Sequence, residues 1–584
     1  MENRKNEKPS ENSNDKTPIS NSEPNDKSSE EVISNTHSTR FNTTSTNTIS
    51  SDIATFKKLN RYCKHPYFIP ILLFIFAIVL YLMLKNGGLW HFDSYADAVT
   101  VEQMLETKKL EYSYGYGAPG AIVTIFPFYY IDHLITGQKY AERAYFFVNF
   151  LTATLGIILL YFICMRLFRN KFIATAASLF LLATPIFFSA TSYPKTHSIS
   201  VLYGLLGGWL LLKATDYEKN HEDTKEHKDS DNKKSKWMNY LLIGLSGFAF
   251  SLNIAIRPDG IFYLIPFGLL YLSPKISMKK LSFAIPKNRF TIKKILLFIF
   301  CLFIIWFLLF LPKIQENGFA ELNPSTETRG GWQGFFSDNL KPSFGHLTIS
   351  ITWLGWFTAL IGLWYCWKKE LYLEGAFLVL FFVETFFFYG NLAVIHARFL
   401  IPALIPLVVL MALGCYVVYY NKKSLGILLV AILVVWMFAT IYPIVKSRHD
   451  YSGTKEFGKW VGEVTEDNAV VMTNDLGFFV QRYGNRKIIF HPRSADSKEI
   501  EGFMRELRDY SSNNISIYAT REGFAIDPGE LVQKALLQEY DVLFVGQKTT
   551  EWYGDGTLKL ALYDEPLLKL VPKNKINAVV NTAN

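Results

Sequence analysis

Apolar residues in this chain are gathered into long blocks rather than spaced as the single stripe of a soluble amphipathic helix. The blocks fall at about 67–85, 144–166, 172–190, 198–213, 238–256, 259–273, 295–312, 347–367, 371–389, 399–419 and 424–443. Many reach about 17 residues or more with almost no charge, the length that crosses a hydrocarbon core of roughly 30 Å. The pattern predicts about eleven transmembrane helices. A twelfth block, 119–136 ("PGAIVTIFPFYYIDHLIT"), carries Pro119, Pro127, Asp132 and His133. It reads as an interfacial or re-entrant helix, because counting it as a span would invert every later loop.

The connections between blocks set the orientation. With Lys57, Lys58, Arg61 and Lys64 on the cytoplasmic side, the inner connections become 166–171, 214–237, 274–294, 368–370 and 421–423. Each carries Lys or Arg, and 274–294 holds seven basic residues and no acidic one, as the positive-inside bias requires. The outer segments are then 86–143, 191–197, a tight turn at 257–259, 313–346, 390–398 and everything beyond 443.

Both ends of the chain differ from the middle. Residues 1–65 are polar and poor in large apolar side chains, which predicts a disordered cytoplasmic tail. Residues 446–584 alternate short apolar runs, such as "AVVMT" (469–473) and "DVLFVG" (541–546), with amphipathic stretches such as 497–509. That pattern predicts an extracytoplasmic soluble α/β domain after a membrane domain spanning 66–445. It has no Gly-rich phosphate loop.

Composition agrees. Of 584 residues, 50% are apolar and only 19% charged, against about 25% charged in a typical soluble domain. The net charge of +9 is a topology signal in the loops, so no nucleic-acid partner is implied. The five cysteines (Cys63, Cys164, Cys301, Cys366 and Cys415) all precede 446, so no disulfide framework is expected in the outer domain.

The outer segments carry the candidate chemistry. Asp93 and Asp97 lie just past the first span, in the large first outer loop. Lys195 and His197 lie in "TSYPKTH", Arg257 in the 257–259 turn with Asp259, Arg329 in the 313–346 loop, and His396 and Arg398 in "GNLAVIHAR". A positive-inside protein should be depleted of outer Lys and Arg, so cations at several outer helix ends point to an anion, and a lipid phosphate fits best. A carboxylate beside them can act as general base toward an attacking hydroxyl, while the cations stabilise a departing phosphate. Glu384, in the outer part of the ninth span, faces the bundle interior as either a functional group or a hydrogen-bonding one. Tyr and Gly interleave in "YSYGYGAPG" (112–120), a surface suited to sugar stacking.

Taken in order, these segments resemble the GT-C superfamily of membrane glycosyltransferases, in particular its protein O-mannosyltransferase and aminoarabinose lipid A transferase branch. The likeness rests on the acidic start of the first outer loop, on "FYYIDHLITG", on "ERAYFFVNFLTATLGIILLYFICMRLFRNKFIATAASLFLLATPIFFSATS", on "IAIRPDGIFYLIPF" and on "HARFLIPALIPLVVLMALG", over roughly 67–445. It implies a polyprenyl- or dolichyl-phosphate-linked sugar donor, with inverting transfer on the extracytoplasmic face of the cell membrane to a glycan, protein or lipid acceptor. The enzyme would be a hexosyl- or mannosyltransferase-like protein with Asp93 as the catalytic residue. It names no cofactor; a divalent metal is compatible but not implied. Where the branch has Asp-Glu, this chain has Asp93-Ser94, and Lys195 and His197 stand where a second acid is often found. The alternative reading is a transporter or flippase of lipid-linked saccharides, although no internal repeat is evident. A third makes the membrane part an anchor for a binding module at 446–584.

Overall fold

The computed structural model describes residues 65–573, apart from 114–117, 224–228, 273–274, 278–281, 285–290, 318–333, 335, 393–395, 493–495, 525–526, 552–557 and 559–561. The expected tail at 1–65 therefore lies almost wholly outside the described residues, as do Arg329 and the middle of the Tyr/Gly stretch.

Every apolar block lies on a helix. In chain order the first helices are α1 (Phe68–Met83), α2 (Phe92–Thr107), α3 (Pro119–Thr136), α4 (Glu142–Phe168), α5 (Lys171–Ala183), α6 (Pro185–Thr191), α7 (Thr196–Asp223), α8 (Asp229–Ile256) and α9 (Ile261–Leu272). They are followed by α10 (Ile292–Asn317), α11 (Leu340–Lys368), α12 (Tyr372–Gly390), α13 (Ile401–Asn421) and α14 (Lys423–Asp450). Among the described residues eight helices are long and apolar enough to cross a membrane, and the bent pair α5–α6 passes as a ninth. The apolar helices at Phe68–Met83 and Pro258–Leu272 are shorter. The protein is thus a polytopic helical membrane protein. The 119–136 run forms a helix that is not among the crossing set.

Local chemistry sets several of these boundaries. Asn170 caps α5 by accepting from the N–H groups of Phe172 and Ile173 at 2.9 and 3.2 Å. Pro185 opens α6 at a 61° bend, because its ring cannot continue the preceding helix. The freed N–H of Ile186 is satisfied by Ser350 Oγ of α11 at 3.2 Å. Where α11 crosses α13, glycines are required: a Cβ on Gly362 would collide with the Leu410 carbonyl, and one on Gly414 with the Thr358 carbonyl. α13 is buried along most of its length at the centre of the bundle. α10 presents most of its apolar surface outward, which only a lipid surrounding accommodates.

Beyond the bundle, α14 continues to Asp450, so the expected boundary at 446 falls inside a helix. Next come α15 (Gly453–Val464), β3 (Val470–Met472), α16 (Gly477–Gly484), β4 (Lys487–Ile489), α17 (Ser497–Ser512), β5 (Ile517–Thr520), α18 (Leu531–Glu539), β6 (Tyr540–Glu551) and β7 (Leu562–Pro572). The strands form one mixed sheet in the order β4-β3-β5-β7-β6. β3 pairs in parallel with β4 and β5, with Val471 opposite Ile488 and Tyr518; β7 pairs antiparallel with β5 and β6. A separate pair, β1 (Lys275–Ser277) and β2 (Ser282–Ala284), lies in the basic 274–294 connection.

This last part of the chain is not an isolated module. Phe457, Val461, Val471, Leu476, Phe479 and Leu567 share one apolar core with Leu89, Trp90, Tyr95, Ala98 and Val101 of the first outer loop. Arg482 of α16, almost fully buried, joins Glu102 of α2 at 3.0 Å and lies 3.9 Å from Glu142 at the start of α4. Thr454 Oγ1 donates to the Leu89 carbonyl at 3.3 Å, and Arg448 at the end of α14 stacks 4.2 Å from the Trp90 ring centroid.

Candidate functional site

The site assembles from four segments that enclose the start of α2. The first is α2 itself. His91 caps it: its ring Nδ1 accepts the Asp93 N–H at 3.1 Å, which fixes both the imidazole and the backbone of Asp93. A histidine is an unusual cap, since Ser, Thr, Asn and Asp are preferred there.

The second segment is the 191–197 turn. Asn149 of α4 donates to the carbonyls of Thr191 and Tyr193 at 2.7 and 2.9 Å, and Tyr193 packs edge-on to Trp90 at 4.8 Å. Ser94 donates its hydroxyl to the Pro194 carbonyl. Ser94, the neighbour of Asp93, is therefore buried and clamps the chain that carries Lys195. From there the Lys195 ammonium pairs directly with the Asp93 carboxylate and sits 3.3 Å from His91 Nδ1.

The third segment is the end of α8. The Arg257 N–H donates to the Asn253 carbonyl at 2.9 Å, and Asn253 is itself held by Ser200 at 2.7 Å. The Arg257 guanidinium reaches both oxygens of Asp259 through Nε, at 3.0 and 3.1 Å, and lies 3.5 Å from His197 Nε2.

The fourth is the 3-10 turn Ala397–Leu400 leading into α13. It places Arg398 Nη2 3.4 Å from His91 Nε2. Phe399 contacts both guanidiniums, its ring centroid 5.5 Å from Arg257 and 5.4 Å from Arg398, with the His396 ring at 5.1 Å. These cation–π contacts help to orient the two arginines.

Asp93, Lys195, His197, Arg257, His396 and Arg398 thus form one connected cluster around His91, Asp259 and Phe399. Lys195, His197, Arg257 and Arg398 are all less than a tenth exposed. Asp97 sits elsewhere: buried, it accepts from Tyr145 at 2.8 Å. Burial pushes its carboxyl up to about 6, against the opposing hydrogen bonds from Tyr145 and Ser113. Glu384 lies half-buried on α12, and among the described residues one of its carboxyl oxygens has no hydrogen-bond partner. Arg329 lies outside the described residues. No group of three or more His, Cys, Asp or Glu among the described residues is placed to hold a metal ion.

His91 and Phe399 are the two members that the sequence pattern does not single out. His91 sits at a cap position where histidine carries no usual signal, and Phe399 looks like one more residue of an apolar block. The adjacency Arg398-Phe399 is the only local hint.

No family model matches the chain, and no curated protein matches it in sequence. Solved structures do match. ArnT from Cupriavidus metallidurans bound to undecaprenyl phosphate superposes with a TM-score of 0.55 at 11% identity, covering 86% of this chain and 98% of that one. The same protein in the apo state gives 0.53 at 11% identity, covering 85% and 97%. An oligosaccharyltransferase from Archaeoglobus fulgidus, in complex with Zn and sulfate, gives 0.47 at 12% identity, covering 84% and 72%. The fold of this chain is that of the two ArnT structures.

Proposed function

We propose that the protein transfers a sugar from a polyprenyl- or dolichyl-phosphate donor to a hydroxyl-bearing acceptor on the extracytoplasmic side of the membrane. The observation that carries this reading is the convergence of Asp93, Lys195, Arg257 and Arg398 from four separate segments into one largely buried cluster. The GT-C fold and the undecaprenyl phosphate bound by the ArnT neighbour support the choice of donor class.

In the proposed reaction the acceptor hydroxyl oxygen attacks the anomeric carbon, and the bond from that carbon to the phosphate oxygen breaks. The configuration inverts, and Asp93 takes the hydroxyl proton. The lipid leaves as a phosphate monoester, its new charge met by Lys195, Arg257 and Arg398. A unit charge pair about 4 Å apart gains roughly 4 kcal/mol at an effective dielectric near 20, so two or three such contacts are a large share of a leaving-group barrier. Lys195, joined to Asp93, couples the base to the phosphate-binding cations. Mannosyl specificity, the acceptor class and the direction in which the termini face belong to this proposal.

Purified Asp93→Asn protein, given a labelled polyprenyl-phosphate sugar, should lose transfer by about 100-fold or more. Near-wild-type turnover by that variant would remove Asp93 from the mechanism.

A further inference from the structure

Arg448 lies in the last turn of α14 and is 1% exposed. A cation is costly to bury, and the contacts of this one run to the two segments that carry Asp93 and Lys195.

Toward Asp93, the guanidinium lies over the Trp90 ring, 4.2 Å from its centroid, and the Arg448 carbonyl accepts the Gly87 N–H at 3.1 Å. Trp90 is itself buried and is followed directly by His91, the cap that holds the Asp93 backbone. Toward Lys195, Arg448 Nη1 donates to Ser189 Oγ of α6 at 2.9 Å. Ser192 donates its hydroxyl to the Ser189 carbonyl at 2.9 Å, and Tyr193 packs edge-on against Trp90 at 4.8 Å. The Asn86 N–H, donated to the Ser192 carbonyl at 3.0 Å, joins the two segments once more. One side chain thus grips both segments, three residues before Asp93 and six before Lys195.

The chemistry of this grip belongs to arginine. A planar guanidinium can stack on an indole face while its edge donates to a hydroxyl. A lysine ammonium keeps the charge, but it is a point donor on a flexible stem and cannot hold both partners at a fixed spacing. We infer that Arg448 is a positioning residue: it sets the approach of Lys195 to Asp93, and so the place from which Lys195 meets the departing phosphate. The inference rests on the transferase reading above and extends it to a residue of α14 that acts through the Asp93–Lys195 pair.

A double-mutant cycle separates this role from general support of the fold. Arg448→Lys keeps the buried cation and loses the planar face. Lys195→Met removes the group through which Arg448 acts. Both single variants and the double variant are purified in detergent, and their thermal stability is recorded. Transfer from a labelled polyprenyl-phosphate sugar is measured as kcat and donor KM. Arg448→Lys is expected to lower kcat about tenfold and to change donor KM less than about threefold, because a misplaced Lys195 is missed chiefly when the leaving charge forms. In the Lys195→Met background the same substitution should cost less than about threefold, since groups that act through one contact are not additive. Wild-type kcat in Arg448→Lys overturns the inference. So does an equal loss in both backgrounds, the mark of a residue that only supports the fold. If Lys195→Met leaves no measurable transfer, the split decides: a donor KM that rises as much as kcat falls overturns the inference. If Arg448→Lys does not fold, Ser189→Ala removes the 2.9 Å bond alone and is read in the same cycle. The transferase reading fails differently, because wild-type protein would then itself transfer no sugar.

Discussion

Two aspartates one helical turn apart have different fates at the residue level. Asp93 meets an ammonium, whereas Asp97 meets only hydroxyls and apolar walls. Asp97 has its carboxyl raised from 3.8 to about 6, so between those values the folded state holds a proton that the unfolded state has released. Stability contributed at this site is therefore highest below about pH 4 and falls as pH rises toward 6. At neutral pH the buried carboxylate is a cost, on the order of 2–3 kcal/mol. Asp97→Asn keeps an oxygen for the Tyr145 hydroxyl and removes the ionisation. It should raise the melting temperature of purified protein at pH 7.5, with the gain shrinking toward pH 4.5. A gain that does not change with pH would rule out this account.

Between elements, the first outer loop owes its order to what covers it. α2 carries both Asp93 and Glu102, and Arg482 of α16 grips the latter while its guanidinium stacks 4.5 Å from the Tyr140 ring. Burial keeps Glu102 above its ordinary range even with Arg482 beside it, so removing the arginine strands a buried acid. Breaking one partner of such a pair costs about 3–5 kcal/mol. Arg482→Gln should therefore lower thermal stability strongly and reduce transfer by loosening α2. Adding Glu102→Gln should restore part of the stability. If the double variant were no better than the single one, the pair would not be what holds α2 to α16.

Across the whole molecule, the sheet-bearing C-terminal part and the first outer loop form one body. An apolar core and the buried Arg482 join them, and the Asp93 cluster lies where α2 meets the bundle. Both must then stand on the same side of the membrane. Ser512, exposed at the end of α17, offers a direct test. A Ser512→Cys variant should react with a membrane-impermeant maleimide in intact cells. Labelling only after permeabilisation would place the Asp93 cluster on the cytoplasmic side and end the proposed reaction, which takes place on the outer face.

The bundle was legible in the sequence because burying or wetting a 20-residue apolar block is a large, local and additive term. The blocks locate the helices, although Thr196–Asp223, Asp229–Ile256, Leu340–Lys368 and Lys423–Asp450 each run about seven to ten residues past the apolar block. The outer acids and cations could likewise be named one by one, because charge at a helix end next to the bilayer is conspicuous. Which of them meet was not legible. Asp93 and Lys195 are about a hundred residues apart in the chain and Arg398 about three hundred from His91. Their meeting depends on a 61° bend at Pro185, an Asn149 side chain that pins a turn, and glycines that bring α11 against α13. The sequence by itself determined a membrane bundle with cations and acids at one set of helix ends. Only the tertiary structure decided that Asp97 is walled off, that Ser94 is a clamp and that a histidine lies between Asp93 and Arg398, since contacts between distant segments follow from packing geometry rather than local composition.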